Sequence, residues 1–223
     1  MNKYELVSKI EKFAPLETQD SWDCSGWVID NSNIVDIHKV MLALTVTDDV
    51  VAQARQKQCD MIISHHPQFC VPIKYKDIQM YASHTPTDKA LGGTTDTLIS
   101  KLGLTADKIE NEYVRIVNLD KPIEVNIFRK TLNKLSENVR LINNKSKKGI
   151  QTIGFCAGSG SEFLACTDTD CYVTGDLKYH TAVDTDKVVF DIGHFESEIL
   201  ILEKFKYILG IEVEFAHEKS PFI

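Results

Sequence analysis

Moved 110 residues along itself, the sequence meets its own pattern without a gap. Asp60 falls on Asp170, "MIIS" (61–64) on "CYVT" (171–174), His84 on His194 and Asp88 on Glu198. "VMLALTV" (40–46) falls likewise on "IQTIGFC" (150–156). Few of these residues are identical, but strand-like runs and the polar residues that end them recur in the same order. Such repetition constrains architecture before any local pattern does, and here it predicts two related α/β halves. The halves run over about residues 1–121 and 122–223 of a single domain spanning 1–223.

Local patterns supply the elements. Leu6, Val7, Ile10 and Phe13 stand at helical spacing, and "AP" at 14–15 ends that helix. "DSWDCSGWVID" reads as a structured loop entering a strand. "KVMLALTV" (39–46) is a buried strand, "TDDVVAQARQKQ" a helix capped by Thr47 or Asp48, and "DMIIS" (60–64) the next strand. This β-α-β order favours parallel strands joined by a right-handed crossover. "IQMYAS" (78–83) makes a third strand, and "PTDKALGGTTDTLISKLGL" a loop leading into a helix. In the second half, "PIEVNIFRKTLNKLSENV" reads as a strand turning into a helix and "IQTIGFCA" as a strand. "GSGSEFLACT" reads as a turn and a helix, "DCYVTGD" as a strand and "LKYHTAVDT" as a helix. "KVVFDIG" is a further strand, and "FESEILILEKFKYILG" one long helix ending at Gly210.

Composition narrows the function classes. A formal charge of −7 argues against gripping nucleic acid or an anionic membrane through overall electrostatics. The basic run "NNKSKKG" (143–149) reads as a solvated turn. The opening segment carries charges throughout and lacks the apolar centre of a secretory leader, and no run approaches a membrane span. Six cysteines without a C-x-x-C pair read as reduced thiols in a cytoplasmic protein, not as zinc ligands.

The chemistry-bearing residues gather at predicted strand ends. In each half a strand ends in His-x-x-x-acid, "HTPTD" (84–88) and "HFESE" (194–198). His194 and Glu198 share one helix face and can converge on one cation. Pro86 is expected to keep a regular helix from starting at His84, so the two sites need not be equivalent. "DMIISHHP" adds His65 and His66 at a strand tip, where Pro67 stops the ladder and strict side-chain alternation is lost. Both rings can then project past the sheet edge, the end of open α/β sheets at which ligands bind. The candidate ligands are therefore His65, His66, Asp88, His194 and Glu198, with His84 nearby. Imidazole and carboxylate suit zinc, iron, manganese or nickel rather than calcium. Five ligands exceed the need of one open catalytic zinc and fit two divalent metals about 3.5–4 Å apart, bridged by Glu198.

Together these segments resemble the NIF-three-like family (NGG-interacting-factor-three-like), whose members are often described as GTP cyclohydrolase I type 2 homologues. The resemblance rests on "APLETQDSWDCSGWVI", "VMLALTVTDDVVAQA", "DMIISHHP", "YASHTPTD", "GFCAGSGSE", "YVTGDLKYH", "DIGHFESE" and "SPF", in this order over nearly the whole chain. It implies two intertwined, similar α/β halves with a dinuclear metal site between them, in a homohexameric ring built as a trimer of dimers. It further implies one metal on His66 and Asp88, another on His65 and His194, and Glu198 as the bridge. Four departures stand out: a shortened segment after Pro67, Thr45 where an aspartate is common, Cys24 and Trp27 for the usual asparagine and leucine, and no inserted domain between the halves.

If the site is catalytic, its chemistry is hydrolytic, with His84 and His180 as candidate proton shuttles. Asp176 and His180, four apart on the helix expected after "TG", are candidates for a pair that orients a ligand or substrate. "GSG" at 158–160 could offer the N–H groups of Gly158 and Gly160 to a phosphate, although a tight turn explains it as well. Lys178 could neutralise an anionic substrate. The leading expectation is a metal-dependent hydrolase acting on a nucleotide-like or phosphorylated small molecule, GTP cyclohydrolase activity being the form the resemblance suggests. The alternative is a non-enzymatic metal-binding, metal-handling or interaction protein.

Overall fold

A computed structural model describes residues 1–222. The chain begins with α1 (Lys3–Phe13), β1 (Gly26–Ile29), β2 (Lys39–Ala43), α2 (Asp48–Gln56), β3 (Met61–Ser64), β4 (Gln79–Ala82) and α3 (Thr85–Lys89). It continues through α4 (Thr94–Lys101), β5 (Lys108–Glu110), β6 (Val114–Glu124), α5 (Val125–Leu132), β7 (Arg140–Ile142) and β8 (Gly149–Ser159). Then come β9 (Cys171–Gly175), α6 (Tyr179–Asp184), β10 (Val188–Asp191), α7 (His194–Glu198), α8 (Ile201–Leu209) and β11 (Glu212–Phe215). These elements form two compact units, the first of Met1–Gly93 with Ile201–Lys219 and the second of Thr94–Leu200 with residues 220–222.

The first unit holds a five-stranded sheet in the order β1-β4-β3-β2-β11. Strands β2, β3, β4 and β11 run parallel, and β1 closes one edge antiparallel. Every residue of β3 and β4 is buried, the signature of parallel strands covered on both faces. Helix α2 shows how the sequence sets a boundary: the Thr47 side chain accepts from Val50 N, and Val50, Val51 and Ala54 turn into the core with Met41, Ile62 and Met80. Each such aliphatic side chain contributes about 1.5–3 kcal/mol by leaving water.

The second unit holds a six-stranded sheet in the order β5-β6-β8-β9-β10-β7. Here β8, β9 and β10 are parallel, while β6 and β7 join antiparallel. Its core packs Phe155, Val173 and Phe190 against Leu98, Phe128 and Leu132, with Phe128 and Phe190 edge to face at 5.5 Å.

The two sheets repeat a plan. Each contains a parallel triplet in chain order, β2-β3-β4 and β8-β9-β10, with an antiparallel strand added to its third member. Asp60 and Asp170 do the same work at the start of the middle strand, each accepting two backbone N–H groups from the strand before it: His38 and Lys39, and Gln151 and Thr152. This is consistent with the internal repeat.

Several local expectations need correcting. A helix does begin directly after His84: α3 carries Pro86 in its first turn, where the missing N–H has no helical acceptor to lose. "SEFLACT" makes only one 3-10 turn, Ser161–Phe163, with the Ser161 and Thr167 hydroxyls donating to the Asp176 and Phe163 carbonyls. The long helix expected from Phe195 to Gly210 is two helices, α7 and α8. Leu200 packs into the core of the second unit, while Ile201 and Leu202 are buried in the first. Among the described residues, no helix is long and apolar enough to cross a membrane.

Candidate metal centre

In the first unit His65 and His66 follow β3 directly, and the backbone keeps strand-like contacts past the named strand: His65 N donates to Ala43 O and His66 N to Leu44 O. The rings nevertheless end on one side, with centroids 4.9 Å apart. His84, just past β4, brings a third ring 5.1 Å from His65 and 5.4 Å from His66. These three imidazoles each offer a nitrogen within 4.8 Å of the others, a spacing that can hold a metal ion. Asp88, one helical turn beyond His84, places Oδ1 3.5 Å from His65 Nε2. The carboxylate thus stands beside His65, where the resemblance implied a shared metal with His66.

Each ring is held by its other nitrogen. His65 Nδ1 lies 3.0 Å from Ser83 O, so it carries the proton and leaves Nε2, on the side of Asp88, as the acceptor. His66 Nδ1 lies 2.7 Å from Thr45 Oγ1. Thr45 itself is fixed by Glu218, whose carboxylate accepts from Leu44 N at 2.6 Å and Thr45 N at 2.8 Å. Thr45, at the position where the resemblance led to an expected aspartate, thus holds His66 through its hydroxyl. His84 Nδ1 lies 3.1 Å from Asp23 Oδ1. Burial alone would raise the Asp23 carboxyl, but hydrogen bonds from His84, Thr85 and Ser25 outweigh it and hold the group well below the usual carboxylate range.

In the second unit His194 opens α7 and Glu198 lies one turn on, with Nε2 and Oε2 3.0 Å apart. Asp176 accepts at His194 Nδ1 over 2.6 Å. Burial disfavours a charged His194, yet Glu198 and Asp176 together push its pKa up to about 9. Gly158 lies against this pair: a Cβ there would come within 2.1 Å of Glu198 Oε1, and its φ of +64° already excludes most side chains. Gly158 thus makes room for the carboxylate, while Gly160 makes room for Cys156 and Thr174. Their N–H groups are committed, Gly158 N to Ser197 Oγ and Gly160 N to Thr174 Oγ1, which removes the phosphate-cradle reading.

Two further expectations fail on geometry. Asp176 does not share a helix with His180, because α6 starts only at Tyr179 and Asp176 sits before it at φ +50°. Its partner is His194. His180 lines a separate cavity with Leu164, Thr181, Asp184 and Lys187, away from the candidate ligands of its unit. Lys178 is exposed at the start of α6. The residues that pattern reading passed over are Asp23, Ser83, Asp191 and Glu218. Asp191, buried at the end of β10, accepts from Leu177 N and Gly193 N and so pins the two turns that carry Asp176 and His194. Of these, only Asp23 had a local signal, an acid amid turn formers between two tryptophans.

In the first unit three imidazoles thus stand close enough to hold a metal ion, and in the second an imidazole and a carboxylate stand side by side. The family model for Duf34/NIF3 (NGG1p interacting factor 3) matches residues 1–221. A Clostridium perfringens protein named GTP cyclohydrolase 1 type 2 homolog is 28% identical, with 100% of this chain and 99% of that protein covered. A Helicobacter pylori protein named GTP cyclohydrolase 1 type 2 is 27% identical over 93% of this chain and 94% of its own length. The structure of a Bacillus cereus protein related to NIF3 superposes with a TM-score of 0.84, at 18% identity over 100% of this chain and 99% of that one. With nearly every residue inside the matched span, the chain belongs to the Duf34/NIF3 family.

Proposed function

We propose that this chain carries the dinuclear metal centre its family resemblance implies, with His65, His66, Asp88, His194 and Glu198 as the donors. One shared observation carries this reading: all four imidazoles tie Nδ1 to a protein partner, which turns Nε2 toward whatever the site binds. At His65 and His194 a carboxylate stands beside that Nε2. The donor set suits zinc, iron, manganese or nickel, and its number suits two ions per chain.

The centre is that of a metal-dependent hydrolase acting on a nucleotide-like or phosphorylated small molecule. The names of the bacterial relatives support GTP as the first substrate to try. Divalent metal would supply Lewis-acid polarisation and a water acidic enough to react near neutral pH. The chain's own part is to orient and to move protons. Thr45 and Asp176 restrain the rings of His66 and His194. His84, fixed at Nδ1 by Asp23, is placed to take or give a proton at Nε2. His180 has no part in this chemistry. A homohexameric ring and a cytoplasmic location complete the proposal.

The test is formate release from GTP by metal-loaded protein, with His84→Asn expected to lose turnover while keeping its metal. Metal-loaded protein that turns over neither GTP nor a panel of phosphorylated compounds overturns the hydrolase and favours a metal-handling role. Light scattering of the purified chain tests the hexamer.

A further inference from the structure

The two tryptophans of the chain are treated very differently by the fold. Trp27 is half-buried on β1, edge to face with Tyr4 and with Tyr81 at 5.6 Å each, beneath the Lys3 ammonium. Trp22 is 59% exposed, and its ring contact is with His84, at 5.6 Å and 76° between planes. Tryptophan is highly buried on average, whereas Trp22 stands open beside the histidine cluster.

The loop does not leave Trp22 outside by slackness. Its neighbour Asp23 is buried and accepts from Cys24 N (2.7 Å), Ser25 Oγ (2.7 Å), His84 Nδ1 (3.1 Å), Thr85 N (3.1 Å) and Thr85 Oγ1 (2.6 Å). Asp23 N in turn donates to Asp20 O, and Asp20 N to Thr85 Oγ1. The backbone on both sides of the indole is thereby tied to the start of α3, the helix that His84 caps and that carries Asp88. The same carboxylate that orients His84 also holds Trp22 in the open.

We infer that Trp22 is a stacking platform for a planar nitrogen heteroaromatic ring, of purine type, whose reacting end is delivered to the histidine cluster. The inference rests on the nucleotide-like substrate proposed above and names the residue that would recognise the ring. A π-face over the indole needs no base-specific hydrogen bonds, which fits a chain without a purine-recognition motif. Loss of one base–aromatic stack weakens binding by roughly tenfold.

The experiment uses metal-loaded full-length protein and two probes, GMP and ribose 5-phosphate, which share the sugar phosphate and differ by the ring. Calorimetry is run on wild type, Trp22→Ala and Trp22→Phe, with metal content and solution mass measured on each. Trp22→Ala is expected to weaken GMP roughly tenfold, leave ribose 5-phosphate, metal content and mass unchanged, and be largely rescued by Trp22→Phe. GMP is also expected to quench indole emission in wild type and not in Trp22→Ala. Equal GMP affinity in wild type and Trp22→Ala overturns the platform while the nucleotide reading stands. A fall in solution mass in Trp22→Ala assigns the indole to a contact between copies and overturns the platform too. Binding of neither probe by metal-loaded wild type overturns both together.

Discussion

His194 makes the stability of the metal-free chain depend on pH in a direction that can be worked out in advance. Its pKa stands at about 9 in the folded chain, against 6.5 for an unperturbed ring. Burial works against the charge, and the Glu198 and Asp176 carboxylates overcome it. The folded value lies above the unfolded one, so this contribution is complete below about pH 6.5 and is lost as pH rises through about 9. The displacement sets a ceiling on the order of 3 kcal/mol. The His194 side chain is 29% exposed and that of Asp176 44%, so solvent screening brings the expectation down to about 1–2 kcal/mol. The assay is thermal melting of chelator-treated wild type and His194→Gln at about pH 6 and about pH 9.5. Wild type should lose roughly 2–8 °C more than the variant over that range, given a few degrees per kcal/mol for a chain of this size. Equal losses in the two proteins would refute the assignment. Metal reverses the sign: ligation needs the neutral ring, so affinity should climb with pH up to about 9.

Other perturbations follow from the same geometry. Thr45→Val removes the oxygen 2.7 Å from His66 Nδ1, and a competition titration with a chromophoric chelator should show metal affinity roughly 10- to 100-fold lower, with the fold intact. Gly158→Ala puts a Cβ 2.1 Å from Glu198 Oε1 at a φ of +64°; it should cost about 1–3 kcal/mol of stability in a urea melt and displace the carboxylate enough to lose metal.

Much of this was legible in the chain itself. α1 and α2 follow from apolar spacing and, for α2, from a threonine cap that the structure confirms. The strand tip at His65 and His66 was readable because Pro67 stops the ladder directly after the two adjacent histidines. What could not be read has a common cause, dependence on distant residues. "FESEILILEKF" carries one uninterrupted helical pattern, but the chain changes cores after Leu200, and only tertiary packing decides that. Thr45 looked like a lost carboxylate, and Glu218, 173 residues away, is what fixes it under His66. Asp176 found His194 across two strands instead of His180 along a helix. β11, by contrast, had a local signal in the alternation of Glu212, Val213, Glu214 and Phe215, which was passed over.

The measurement that bears most directly on the centre is the metal-to-chain ratio by elemental analysis, taken on protein purified without added metal and again after reconstitution and desalting. Five protein donors, the three imidazoles among them backed by orienting partners, call for about two divalent ions per chain, falling in His65→Ala and in His194→Ala. A chain that retains no divalent ion even after reconstitution would contradict the centre, and the hydrolase and the stacking platform would go with it.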